Sequence, residues 1–436
     1  MSTQGTNTPA PMQTVSESAA ASAGAAPRSA TPFLVGVLGI VGGLVSLTLT
    51  GAYTTLDSAN RGFDACLAII AIVAGYELLI ARVHQRASTG LAADTLRPVN
   101  ALRVLVRLGA LASIYAGIAL IYWLLPEYHG SFYAPYWAVV RALAPPFAIG
   151  APFYFAWMDR RLQDSEDAYL QWGRLLFYRE APQDWRAIRE LLGGWAVKAY
   201  FLPLMTVYMS SSADSITQAF AAASAAPYTM ASYRFLYNLA FTMDVMLATV
   251  GYLCTFRILD THVRSAEPTT FGWLVALICY QPFWSLIGNQ YLSYQGSLYW
   301  DSWLISVPVL RFIWGATIIV LVMIYASATM SFGLRFSNLT NRGIITSGPY
   351  RFTKHPAYLS KNLAWWLISV PFIEPLGLHV AIMHTVALAA LNGVYYMRAK
   401  TEERHLMRDP DYRAYAAWIE QHGMFSIFSR RNANLS

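Results

Sequence analysis

The sequence predicts an all-α, polytopic membrane protein of about ten transmembrane helices, with both termini in the cytoplasm. Three observations carry this. Of 436 residues, 56% are hydrophobic and only 13% charged, about half the charged share of an ordinary soluble domain, too few polar groups to cover a water-facing surface. The apolar residues gather into segments long enough to cross the roughly 30 Å of a bilayer's hydrocarbon. The lysines and arginines fall in alternate loops, as the positive-inside rule requires.

Residues 1–31 are Ser, Thr, Ala, Pro, Gln and Gly with only Glu17 and Arg28 charged. Such a stretch buries too little apolar surface to offset its ordering entropy, which predicts a disordered cytoplasmic tail. No positively charged stretch opens it, so it does not read as a signal peptide and the first apolar segment is expected to stay as a membrane helix. Spans are predicted at 33–53, 63–82, 104–125, 137–157, 195–212, 233–256, 271–289, 303–330, 357–373 and 378–397. The last two are short and joined by Glu374-Pro375-Leu376-Gly377, a turn signal that makes them a helical hairpin. This divides the chain into an N-terminal membrane domain of about seven helices (32–302), a second membrane domain (303–422) and a short tail (423–436).

Orientation follows from charge. One set of loops holds Arg82, Arg86, Arg97, Arg103 and Arg107, then seven basic residues from Arg160 to Lys198, then Arg257 and Arg264, then Arg335, Arg342, Arg351 and Lys354. The opposite loops hold little beyond Arg61 and Arg234. Both termini are therefore expected inside. The long inner loop 158–194 mixes both signs with Trp172, Leu175, Leu176, Phe177 and Trp185, a spacing that suits amphipathic helices on the membrane surface or over a site.

No basic run is interleaved with stacking aromatics, which argues against nucleic acid. Cys66, Cys254 and Cys279 are scattered through apolar segments and read as apolar filler, with no metal site expected. Asp244 lies at membrane depth in the sixth span, where a charge is costly; it either pairs with an arginine or lines a cavity. Arg141 and Arg311 can snorkel to the outer interface. The loop 260–268 packs Asp260, His262, Arg264 and Glu267 between two spans, as a solvated turn or as one rim of the site described next.

That site is predicted between the eighth and ninth spans, in Gly348-Pro349-Tyr350-Arg351-Phe352-Thr353-Lys354-His355-Pro356-Ala357-Tyr358. Pro356 suits the first turn of a helix, where a missing N–H costs nothing. His355 then stands at a helix N-terminus, whose free N–H groups and positive dipole end favour a carboxylate or phosphate. After the tenth span come Arg398, Glu402 and Glu403. Arg398 and Glu402 are four apart and share a helix face. The hairpin brings the two motifs together on the cytoplasmic side.

At these residues the sequence resembles the isoprenylcysteine carboxyl methyltransferase family, whose relatives include membrane phospholipid methyltransferases. The likeness runs over 330–422 and rests on Gly348 to Tyr358, on Arg398 with Glu402-Glu403, and on Asp411-Tyr412-Arg413-Ala414-Tyr415. It implies S-adenosyl-L-methionine bound on the cytoplasmic side and a lipid-like small-molecule acceptor arriving from the bilayer. Tyr350, His355, Pro356, Tyr358 and Glu402 match cofactor-contacting positions, and Arg398 and Glu403 match residues that orient the acceptor and support transfer to a carboxylate or an amine. Asp409-Pro410-Asp411 stands where the family has Phe-Gly, and the first seven spans have no counterpart. An NADPH-dependent membrane reductase of the steroid 5α-reductase type shares the His-Pro segment, but its Asn, Gly and Glu are replaced by Ala357, Ser360 and Lys361. A transporter or scaffold with a methyltransferase-like tail is the non-enzyme alternative. The setting expected is a bacterial inner membrane.

Overall fold

The computed structural model describes residues 26–92, 96–296 and 299–426. Fourteen α-helices are named among them: α1 Phe33–Tyr53, α2 Ser58–Gly75, α3 Ala101–Leu124, α4 Ala134–Arg161, α5 Ala168–Tyr178, α6 Trp185–Ala225, α7 Met230–Leu253, α8 Thr270–Leu277, α9 Asn289–Tyr291, α10 Trp300–Trp303, α11 Pro308–Met330, α12 Pro356–Ser369, α13 Leu378–Leu406 and α14 Pro410–His422. Two short strands, β1 Ser265–Ala266 and β2 Thr340–Asn341, pair antiparallel. The protein is an all-α polytopic membrane protein.

Helix starts are set locally. Asp57, Asn100, Asp167, Asp184, Thr229, Thr269 and Asp409 each accept a backbone N–H of the helix they precede, satisfying donors that have no intrahelical partner. Asp409 caps α14 with Pro410 at its first position, so the unusual Asp-Pro pair is a helix start.

Seven of the described helices are long and apolar enough to cross a membrane: α1, α2 with its extension to Ile80, α3, α4, α7, α11 and α13. The other three expected spans fall on elements of different character. The window 195–212 lies within α6, a 41-residue helix about 62 Å long at 1.5 Å per residue; Lys198, Tyr200, Tyr208 and three serines lower its hydropathy. The segment 271–289 is broken: α8 has eight residues and a turn follows at Gln281-Pro282, where proline removes a helical hydrogen bond. The ninth span is the 14-residue α12, too short to cross unaided. Arg141 is exposed, as snorkelling requires, and Arg311 pairs with Asp301 at 3.3 Å. Cys66, Cys254 and Cys279 are free thiols.

The main core lies among α1, α2, α6, α7 and α11, around Ile69, Met246, Leu247 and Ile318. Residues 1–25 of the expected tail lie outside the described residues, but its last residues are held. Ala30 N–H donates to the Ile344 carbonyl at 2.8 Å and Thr346 Oγ1 to the Pro27 carbonyl at 2.7 Å, while Thr31 is buried. The order therefore begins before residue 32. At the other end Met424 N–H donates to the Phe352 carbonyl at 2.8 Å; 427–436 lie outside the described residues.

Candidate active site

Pro356 opens α12 and His355 is its N-cap, as the sequence predicts. The chain reaches them through a 3₁₀ turn at Gly348–Arg351, with Gly348 at φ +63°, a left-handed conformation that glycine adopts without a Cβ clash. The α13 helix runs unbroken past the expected end at 397 to Leu406, so Arg398, Glu402 and Glu403 project from one rod.

Two adjacent carboxylates of α13 fasten the start of α12. Glu403 Oε1 lies 2.9 Å from His355 Nε2, and the Tyr358 hydroxyl donates to Glu402 Oε2 at 2.9 Å. The His355 and Tyr358 rings stack at 5.6 Å. Glu403 Oε2 also receives Lys400 Nζ at 3.0 Å. The expected hairpin thus brings both motifs together.

Between them opens a cavity with about 980 Å³ of empty space. Tyr350, His355, Tyr358, Arg398 and Glu402 line it. Pro356 and Glu403 do not; Pro356 sits under the helix start, and Glu403 reaches the site through His355. Tyr350 is held by its backbone, whose carbonyl accepts the Tyr415 hydroxyl at 2.7 Å. Burial, and then the Glu402 carboxylate, hold the Tyr350 phenol well above its ordinary pKa, so it stays neutral.

Arg398 is buried and has no carboxylate partner among the described residues. Its guanidinium donates to Asn338 Oδ1 at 2.6 Å and lies 5.4, 5.5 and 5.8 Å from the ring centres of Tyr358, Tyr280 and Tyr395, within cation–π range. Asn338 is fixed in turn, its N–H on the Tyr252 hydroxyl at 2.9 Å and its side-chain amide on the Tyr280 hydroxyl at 3.2 Å. Lys361, also facing the cavity, sits over Tyr325, Trp365 and Tyr395 at 4.9, 5.1 and 5.9 Å. Asp244 forms part of the wall. It finds no arginine; Tyr325 and Thr329 of α11 donate to its two oxygens at 2.5 Å each.

The loop 260–268 is not a solvated turn, and its Glu267 end reaches the rim of this cavity. The β1–β2 pair ties it to 339–341, Glu267 lines the cavity, and Ser265 Oγ lies 2.9 Å from His405 Nε2 on α13. Behind the rim, Arg342 donates to the Gly251, Cys254, Thr261 and Phe336 carbonyls, capping the C-terminal end of α7.

Sequence reading missed Tyr280, Asn338, Lys361 and Tyr395 as site residues. Two carried a signal: Lys361 follows Tyr358 by three positions and Tyr395 precedes Arg398 by three, which places each on the same helix face. Tyr280 and Asn338 come from a broken segment and a loop, where no periodicity points to them.

The arrangement is an aromatic-walled cavity with carboxylates, a helix N-terminus and two cations at its edge, closed by a helical hairpin. Residues 308–408 match the model of the isoprenylcysteine carboxyl methyltransferase (ICMT) family. The match runs from the first residue of α11 to just beyond α13, so the ICMT-like region holds His355, Arg398 and the Glu402-Glu403 pair. No curated protein and no solved structure matches the chain. The cavity reaches outside the ICMT-like region to Asp244, Glu267 and Tyr280. Among the described residues no group of His, Cys, Asp and Glu could hold a metal ion.

Proposed function

We propose that this protein transfers the methyl group of S-adenosyl-L-methionine to the carboxylate of a lipid-like or lipid-linked acceptor, at the cytoplasmic face of a bacterial inner membrane. The observation that carries the reading is the hairpin site itself: His355, Tyr358 and Glu402 line one cavity together with Arg398, which has no carboxylate partner among the described residues.

The residues fit the cofactor chemically. The free N–H groups at the start of α12 suit its carboxylate, Glu402 and the Tyr350 and Tyr358 rings suit its hydroxyls and its cationic centre, and bound there it would supply an electrophilic methyl group. The chain's own work is positioning and exclusion of water. Glu403 holds His355 in place, Tyr358 keeps Glu402 turned inward, and Asn338 with three rings aims Arg398. A carboxylate acceptor is favoured because both cations facing the cavity, Arg398 and Lys361, rest on ring faces without an ion-paired carboxylate, whereas the oxygens of Asp244 already receive two hydroxyls. Phe332, Phe336 and Leu339 in the wall keep water from the reacting pair. The residues at Ala357, Ser360 and Lys361 disfavour the reductase.

The test is transfer of tritiated methyl from S-adenosylmethionine to a membrane lipid extract by purified protein. Label released by alkali as volatile methanol identifies a methyl ester and supports the proposal; alkali-stable label identifies an amine acceptor. No transfer, with NADPH oxidation instead, would establish the reductase.

A further inference from the structure

A second cavity, with about 2720 Å³ of empty space, lies between α3, α4, α5, α6 and residues 255–264. It shares no lining residue with the hairpin site. Its roof is α5, in the long loop whose amphipathic pattern the methyl-transfer reading leaves unused.

The charges on its wall do not balance locally. Three of its carboxylates are in ion pairs: Asp167 with Arg107 at 2.9 Å, Glu166 with Arg174 at 2.7 Å and Glu190 with Arg186 at 2.9 Å. Asp164 and Asp184 accept backbone N–H groups at 2.9 and 2.7 Å. Lys198 has no hydrogen bond or ion pair among the described residues and lies 4.9 Å over the Trp195 ring. The Arg257 guanidinium donates to the Thr89 carbonyl at 2.9 Å and has no ion pair among the described residues. Nδ1 of His262 is buried with no hydrogen-bond partner among the described residues. Gly194 lets these groups approach, because a Cβ there would stand 3.2 Å from Val263, so the 262–264 segment lies against α6 beside Lys198.

A further wall is apolar and belongs to a membrane-crossing helix. Phe147, Gly150, Ala151 and Phe155 of α4 face the cavity, while Ile149 and Phe153 on the same helix are exposed, as a lipid-facing surface is. Two cations that no carboxylate pairs among the described residues, Lys198 and Arg257, and a bilayer-facing apolar wall fit one ligand chemistry. We infer that the second cavity binds an anionic membrane lipid, with its acidic headgroup against Lys198, Arg257 and His262 and its acyl chain along α4. The inference is independent of the methyl-transfer reading.

The experiment is native mass spectrometry of the full-length, detergent-purified protein titrated with dioleoylphosphatidic acid, dioleoylphosphatidylcholine or inorganic phosphate. The expected result is retention of phosphatidic acid about fivefold or more over phosphatidylcholine, the scale of one or two basic contacts to an acidic lipid. The preference should vanish in the Lys198→Gln/Arg257→Gln variant and survive in Lys198→Arg; if the double variant does not fold, Lys198→Gln alone carries the comparison. Equal retention of both lipids, or an unchanged preference in the variant, would overturn the inference. Displacement of phosphatidic acid by millimolar inorganic phosphate would overturn the lipid assignment and leave a soluble anion as occupant.

Discussion

Glu403 is the residue at which sequence and structure assign different work, and its removal has a calculable effect. It faces His355, not the cavity, so Glu403→Ala should weaken cofactor binding through the imidazole. The contact at 2.9 Å joins side chains 19% and 21% exposed. A hydrogen bond to a charged group contributes about 1.5–3 kcal/mol when buried, and partial solvent screening brings this just below that range, to about 1.4 kcal/mol. The Lys400 contact involves a side chain 53% exposed and adds little. The expected loss is therefore roughly tenfold in S-adenosylhomocysteine affinity, with Glu403→Gln about threefold because it keeps the hydrogen bond and loses the charge. Calorimetric titration of purified protein reads this directly. A double-mutant cycle with His355→Ala separates positioning from general damage: in the double variant the two losses should fail to add by about 1 kcal/mol. Additive losses, or unchanged affinity in Glu403→Ala, would refute the positioning role.

Other outcomes follow from the same structure. Arg342→Met leaves four carbonyl contacts, three of them buried, without a donor and should cost about 3 kcal/mol, seen as a lower unfolding temperature; an unchanged temperature would contradict its capping role. The His262 imidazole is held well below its ordinary 6.5 by burial first and by Arg257, Arg264, Arg342 and Arg335 next. Below pH 6.5 the unfolded chain then binds a proton that the folded one does not, so stability falls with pH by up to about 1.4 kcal/mol per unit; His262→Asn should flatten this part of a thermal-shift profile, and an identical profile would remove His262 as its source. A reporter fused after Ser436 should read cytoplasmic, and a periplasmic signal would overturn the orientation.

The elements legible in the sequence are those whose signal is local. Pro356 and His355 at a helix start, the hairpin turn, and the pairing of the His-Pro segment with Arg398 and Glu402-Glu403 all follow from spacing and capping. Hydropathy found the seven long apolar helices; the other three expected spans fall on elements it does not describe, the seventh broken at Pro282 and the fifth lying within the longer α6 with Lys198 in its window. The cavity also crosses the expected boundary at 303, since Asp244, Glu267 and Tyr280 join its wall. These contacts depend on how α7, β1 and the 278–296 segment dock on α11 to α13, which no periodicity encodes. The Arg398–Asn338 hydrogen bond spans sixty positions, and the expected acceptor role of Arg398 is compatible with it because no carboxylate among the described residues is ion-paired to Arg398.

The most direct test of the account is calorimetric binding of S-adenosylhomocysteine to the detergent-purified full-length protein, with NADPH titrated in parallel. The account predicts saturable binding of the nucleoside that is lost in His355→Ala, and none of NADPH. Binding of NADPH alone, or of neither, would contradict it.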